Sequence, residues 1–524
     1  MKKLSDILSK LIYVFAAIPL LYLFINVIHY TYNLNLFWFV EDLSFMTEGP
    51  DSRLKNMIVI LIAFVVYYLA AKLLFVGAKS KADWDKRVLI CASVVSLLIF
   101  AGLVFFVLKT RIDIAFDPER VYERALSFAK GDYSPVSDYY IQMYPQQVGL
   151  AFFESIFLKF TESPLIFQIL NAFFIAASVF LVYRLSHELT NSAEVSFVAL
   201  FIVTFCFPLY YYVSFVYGDV FMICSMLFVA WALIKWINGQ RTRYIVFILM
   251  TAAIMGPVRK NSLIFLIAVA IVFVLTALRQ KKANILIFAA LALAIPIIST
   301  EGITKYYEIK GETKLDNGMP VVNWIAMGLC PAVNENCSVG VFNMFNEQLY
   351  INEGGKDPKL SAEASKAYIS RRFDDFKSEP GSGRAFFRFK ILEQWAEPTF
   401  ASIDSTTGDH EYCWEEVKFS YDFHTLDAMS KIMNRLQSIV YLFSFSYIVF
   451  ALIKDKDYKP LVLALGFLGG FLFSVIWEAN GRYVFPYFIL LIPLAGAAIG
   501  KVIGVLNEEF TKIKKSEKDE HPYQ

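Results

Sequence analysis

Apolar runs of roughly twenty residues alternate with short basic connections along most of this 524-residue chain. That rhythm predicts helices crossing a membrane. Twelve such runs begin near Leu8, Met57, Val88, Pro164, Ala193, Val220, Tyr244, Ser262, Ala283, Ile432, Pro460 and Val484. Two long polar stretches interrupt them. The first, Ile112 to Gly149, opens as a short amphipathic helix with Val121, Ala125, Phe128 and Ala129 on one side and Glu119, Arg120, Glu123, Arg124 and Lys130 on the other. Gly131 and Pro135 end it. The second, Glu301 to Ser430, is rich in aromatic and charged residues. It holds turn signals at Asp316-Asn317-Gly318 and Pro380-Gly381-Ser382-Gly383, and a helical pattern from Ser361 to Phe376.

The connecting charges set an expected orientation. Lys2, Lys3 and Lys10 precede the first run, and Lys79, Lys81, Lys86 and Arg87 separate the second from the third. Lys235, Arg241 and Arg243 follow the sixth, Arg279, Lys281 and Lys282 the eighth, and Lys454, Lys456 and Lys459 the tenth. The tail adds Lys512, Lys514, Lys515 and Lys518. Twelve spans place all of these on one side, which the positive-inside rule makes the cytoplasm, with both termini there. Both polar stretches then face outward. Val148 to Phe160 is apolar but too short to span, and a span there would invert every later loop. It is expected to lie along the outer leaflet. The resulting plan has an N-terminal group of three spans (1–109), an outer loop (110–163), six spans (164–300), an extracytoplasmic domain of mixed structure (301–430), three spans (431–506) and a cytoplasmic tail (507–524).

Composition agrees with a multi-pass protein of the cell membrane. Apolar residues make up 57% and charged residues 18%, against about 25% charged in soluble chains. The net charge of +2 is spread over loops, which gives no surface for nucleic acid. Met1-Lys2-Lys3 leads into a run long enough to span and without a small-residue cleavage pattern. Cys91, Cys206 and Cys224 sit in apolar runs; the spacing of Cys330 and Cys337 leaves a small disulfide loop open, and Cys413 has no obvious partner. The five histidines show no metal-ligand spacing, so no built-in metal site is expected.

Several ionisable residues sit against the charge rule. Arg259 and Lys260 fall in the tight turn Gly256-Pro257-Val258-Arg259-Lys260-Asn261, and Arg482 in Trp477-Glu478-Ala479-Asn480-Gly481-Arg482-Tyr483. Both turns face outward on the count above, where cations are disfavoured. Either they snorkel to headgroups, or they meet an anionic partner such as a lipid-linked phosphate. Asp113 and Asp117 flank the end of the third run, and Asp219 opens the sixth. Asp117-Pro118 reads equally as a helix cap followed by proline and as a reacting carboxylate; Asp219 reads the same two ways.

The chain resembles the GT-C superfamily of integral-membrane glycosyltransferases, in the branch of protein O-mannosyltransferases and the lipid A aminoarabinose transferase. The matching residues are Asp117-Pro118-Glu119-Arg120-Val121-Tyr122, Gly131-Asp132, Tyr144-Pro145, and Gly481-Arg482-Tyr483 with Pro486. Loop wording such as Tyr144-Pro145-Gln146-Gln147-Val148-Gly149 and Gln394-Trp395 is similar to that of Gram-positive transferases acting on cell-wall polymers. The chain departs from the family in placing two extra spans before the acidic loop, and in having Asp117-Pro118 where many members have Asp-Glu.

The resemblance implies an all-α, GT-C-like membrane enzyme that moves a sugar from a polyprenyl-phosphate donor to an extracytoplasmic glycan or protein. One displacement with Asp117 as general base predicts inversion at the anomeric carbon; a retaining route needs a second carboxylate as nucleophile, a role left open to Asp113 and Glu119. Asp113, Glu119 and Asp219 are supporting acidic candidates. Arg259, Lys260 and Arg482 would bind the donor phosphate, and Tyr144, Gln146 and Tyr483 would contact donor or acceptor. No cofactor is expected to be tightly bound; the chemistry permits a divalent metal without requiring one. The rival readings are a flippase or transporter of lipid-linked saccharide, which would carry mid-span charge, and a polymerase or ligase using a diphosphate-linked donor.

Overall fold

The computed structural model describes residues 1–29, 80–315, 318–331, 339–403, 423–453 and 458–502, with scattered positions between 58 and 71. Fifteen helices frame the description. They are α1 (Lys2–His29), α2 (Lys81–Thr110), α3 (Phe116–Ala129), α4 (Val148–Leu158), α5 (Leu165–Thr190), α6 (Ala193–Thr204), α7 (Asp219–Gly239) and α8 (Thr242–Val258), followed by α9 (Ser262–Gln280), α10 (Leu286–Lys310), α11 (Pro358–Ser378), α12 (Pro380–Trp395), α13 (Phe423–Ile453), α14 (Leu461–Ile476) and α15 (Gly481–Ile489). The described residues contain no strand.

Among the described residues, seven helices are long and apolar enough to cross a membrane, and nine spans result if two bent pairs count as one each. The pairs are Ala193–Thr204 with Phe207–Ser214, bent by 58°, and Gly481–Ile489 with Ile492–Val502, bent by 42°. α8 and α14 are apolar but shorter. The expected second span, from Met57, falls mostly outside the described residues. The described residues are therefore all-helical, and their apolar helices make the chain a multi-pass membrane protein.

Local chemistry sets many helix ends. The Ser80 and Ser192 hydroxyls accept from Asp83 N and Val195 N at the starts of α2 and α6. Asp357 caps α11 ahead of Pro358. α5 stops at Asn191 in the left-handed region. The helix expected from Ser361 to Phe376 lies within α11.

The packing sorts the ends of the bundle. α1 lies against α13 and α14, α2 against α5, α5 against α7, and α8 against α10. At one end Arg279 pairs with Asp6, Glu188 takes Lys235 at 2.9 Å and Arg184 at 3.3 Å, and His187 meets Asp85 at 3.2 Å. The opposite end holds the polar loops. There α4 lies beside α3, α8 and α10. Its eleven residues give a length of about 16 Å, well short of a bilayer core.

The described residues of the 301–430 stretch form helices and turns, with α11 packed against α12. One expectation needs correction. Pro380-Gly381-Ser382-Gly383 is the first turn of α12 rather than a loop, because proline at a helix start forfeits only an N–H that has no helical partner there. Cys330 is a buried thiol; Cys337 and Cys413 lie outside the described residues.

Candidate active site

At the polar end of the bundle, side chains from α5 hold two loops in place. Asn171 Nδ2 donates to the carbonyls of Val213 at 3.1 Å and Phe215 at 3.0 Å, and Gln168 Nε2 donates to that of Ile112 at 2.6 Å. These bonds fix the 213–217 segment, which runs from the end of a 3-10 turn (Tyr212–Ser214) into an irregular stretch, beside the entry to α3. Gly218 then takes φ +82, which a side chain would resist, and a Cβ there would press on Val258. The turn leaves Tyr217 and Asp219 on one side of the chain reversal, both buried.

Tyr217 is the centre of the cluster. Its hydroxyl accepts from Gln147 Nε2 at 2.5 Å and donates to Asp117 Oδ2 at 3.3 Å. Its ring is covered by Arg259, 4.7 Å from the centroid, and approached by Arg482 at 5.4 Å. Arg259 is held by Asp219 Oδ1 at 2.8 Å. Arg482 also lies over Phe215 and Tyr483, and its Nη2 donates to the Tyr483 hydroxyl at 3.3 Å. That hydroxyl in turn donates to Glu478 Oε2 at 3.4 Å. Burial holds the Tyr217 phenol well above its usual range, so it stays a neutral donor. Arg482 Nε and Asp219 Oδ2 are buried with no hydrogen-bond partner among the described residues. Such atoms are costly to bury unless something else satisfies them.

A family model described as dolichyl-phosphate-mannose-protein mannosyltransferase matches residues 148–303. The match supports a membrane glycosyltransferase of the GT-C superfamily. Tyr217, Asp219 and Arg259 lie inside the matched stretch; Asp117, Gln147, Glu478 and Arg482 lie outside it and reach the same cluster through the fold. No curated protein sequence matches the chain.

The structure brings some candidates together and leaves others apart. Asp117, Asp219, Arg259, Arg482 and Tyr483 gather around Tyr217. Asp117 does not cap α3: the helix starts at Phe116 with Ala115 at the cap position, and the carboxylate turns to Tyr217 instead. Asp219 is likewise the first residue of α7, after Gly218, and spends its carboxylate on Arg259. Asp117 is also half exposed, 3.7 Å from Arg120, so a molecule from solvent can reach it. Asp113 and Glu119 are exposed and form no hydrogen bond or ion pair with the cluster among the described residues. Lys260 is exposed as well.

Tyr144 sits at the edge, donating to Glu347 Oε1 at 2.7 Å with its ring near Tyr140 and Trp324. Gln146 makes no hydrogen bond within the cluster among the described residues; its neighbour Gln147 does. The stretches 318–331 and 339–353 touch the site on two sides. Met319 N donates to Met143 O at 3.0 Å, and Gly340 O accepts from Ala479 N at 2.7 Å. Trp324 stacks on Trp477 with centroids 6.0 Å apart and planes 6° apart. No three His, Cys, Asp or Glu side chains converge as a metal-binding set among the described residues.

Proposed function

We propose that the chain transfers a sugar from a polyprenyl-phosphate donor to a glycan or protein on the outer side of the cell membrane, with a cell-wall or surface polymer as the acceptor class. One observation carries the reading. Tyr217 holds a half-exposed carboxylate, Asp117, on its hydroxyl and two guanidiniums, Arg259 and Arg482, on its ring. A base and an anion site thus sit side by side at the polar end of an apolar bundle.

The acceptor hydroxyl attacks the anomeric carbon and gives its proton to Asp117. The bond from that carbon to the phosphate oxygen breaks, and its electron pair leaves with the lipid phosphate. Arg482 and Arg259 stabilise the growing negative charge. One base and one displacement invert the anomeric centre. The route as written uses no tightly bound cofactor or metal. Both termini and the basic loops would face the cytoplasm, and the cluster would open outward.

The test is a donor assay. Purified protein in lipid is offered a polyprenyl-monophosphate sugar and a polyprenyl-diphosphate saccharide. Consumption of the monophosphate-linked sugar supports the reading, and consumption of only the diphosphate-linked one moves the chain to the polymerases and ligases. Movement of intact lipid-linked sugar across the bilayer without cleavage would make it a transporter.

A further inference from the structure

The turn from Trp477 to Asn480 joins α14 to α15 and carries a carboxylate that the reaction above leaves unused. Glu478 is 5% exposed, and its described hydrogen bond comes from Tyr483. Several charged or titratable groups face it. Arg482 and Tyr483 come from α15, Arg259 from the end of α8, Asp117 from α3 and Lys390 from α12. Lys390 is fully buried and donates its Nζ proton to the Gly328 carbonyl. A carboxylate in this place is well sheltered from water and has a single weak donor.

The neighbours of Arg482 give that shelter a consequence. Arg259 is already matched by Asp219 at 2.8 Å, and Arg120 lies 3.7 Å from Asp117. Arg482 is the guanidinium left to meet a phosphate, and its buried Nε is unpartnered among the described residues. If Glu478 is ionised, its charge, linked to Arg482 through the Tyr483 hydroxyl, opposes an arriving anion. If Glu478 is neutral, that opposition is gone and Arg482 is free to take the anion. Like charges brought into a poorly solvated site oppose one another strongly.

We infer that Glu478 makes donor binding proton-linked: an anionic phosphodiester headgroup enters the site with Glu478 as the neutral acid, taking up a proton wherever Glu478 was ionised beforehand. The inference rests on the reading of Arg482 as the partner of the donor phosphate. Two further facts agree with it. Burial pushes the Glu478 carboxyl up to about 7, against the opposing pull of Arg482 and the Tyr483 hydroxyl. Burial also draws the Lys390 ammonium down to about 7, which weakens its ability to keep Glu478 charged. As an acid, Glu478 gains an O–H that can donate to a phosphate oxygen, and it ceases to compete for Arg482.

The sign follows. Below the Glu478 pKa the acid is already protonated and affinity is flat; above it each ligand bound must bring a proton, and affinity falls about tenfold per pH unit. The probe is a farnesyl methyl phosphodiester, whose single charge does not titrate near neutrality. It is titrated calorimetrically into full-length protein in phosphatidylcholine nanodiscs, in two buffers of different ionisation enthalpy. Wild type is expected to follow that slope and, at about pH 8, to take up close to one proton per probe bound. Glu478→Gln, neutral at every pH, is expected to keep the low-pH affinity throughout and to take up none. Loss of that uptake in Glu478→Gln assigns the proton to Glu478 rather than to Lys390, which burial also brings near neutrality. Binding by wild type with no proton uptake, or the same slope in Glu478→Gln, overturns the inference. No binding by wild type at any pH instead removes Arg482 from phosphate recognition, and the reading of the site fails with it.

Discussion

Asp219 and Arg259 stand forty residues apart in sequence and close a 2.8 Å ion pair, with side chains 5% and 11% exposed. The pair joins the start of α7 to the end of α8 directly beside Tyr217. Removing one partner strands the other in a poorly solvated place. Asp219→Ala or Arg259→Ala should each cost about 3–5 kcal/mol and lower the melting temperature in detergent. The double variant should cost less than the sum of the two, because neither charge is left alone. Additive losses would mean that the two side chains do not depend on each other.

Asp117 meets both the cluster and the solvent. Asp117→Asn keeps the shape and removes the base. Transfer should fall by about a hundred- to ten-thousand-fold, with donor binding and melting temperature close to wild type. Full activity in that variant would leave Asp117 with only its hydrogen bond to Tyr217.

Arg482 offers a planar fork, stacked over Phe215, Tyr217 and Tyr483. Arg482→Ala should weaken phosphodiester binding far more than it lowers the melting temperature. Arg482→Lys should recover only part of the affinity, because an ammonium keeps the charge but loses the fork and the stacking. Unchanged affinity in both variants would take Arg482 out of the site.

Gln146 and Gln147 form a matched pair for testing. Gln147 donates to the hydroxyl of Tyr217, and Gln146 makes no hydrogen bond in the cluster among the described residues. Losing one such bond is worth about 1 kcal/mol, so Gln147→Ala should reduce turnover by about fivefold while Gln146→Ala stays near wild type. Equal effects would show that the turn as a whole, rather than Gln147, supports Tyr217.

Gly149 lies against the backbone of Pro257, where a Cβ would collide with the carbonyl. Gly149→Ala should push α4 away from α8 at a cost of about 1–3 kcal/mol. It should also lower turnover, since Gln147 leads into the displaced helix. A variant that melts like wild type would mean that the two elements separate without loss.

The broad plan was legible because burial in lipid writes itself into the sequence as long apolar runs and misplaced charge. Arg259 and Arg482 are marked by that mismatch and Asp117 by its acidic motif, and the fold gathers all three. Lys260 carries the same mark as Arg259 but is exposed, since adjacent residues in a turn diverge and sequence does not say which one faces inward. Gln146 and Gln147 show the same ambiguity inside one tight turn. Tyr217 and Glu478 were in view within Tyr217-Gly218-Asp219 and the Trp477–Tyr483 turn, yet neither had a distinguishing mark. A tyrosine or a glutamate at a membrane surface is ordinary, and only tertiary packing makes one a hub and buries the other. Asp117-Pro118 and Asp219 looked like caps because local sequence describes the first turn of a helix and not the arginine or tyrosine arriving from elsewhere.

The Trp324–Trp477 stack and the Gly340–Ala479 hydrogen bond tie the stretches 318–331 and 339–353 to the turn that carries Glu478. The same stretches are anchored at Met143 and Tyr144. A bulky substrate leaning on them would therefore tug at both attachments at once. In mechanical terms they would act as a yoke, passing a displacement on to the Glu478 turn.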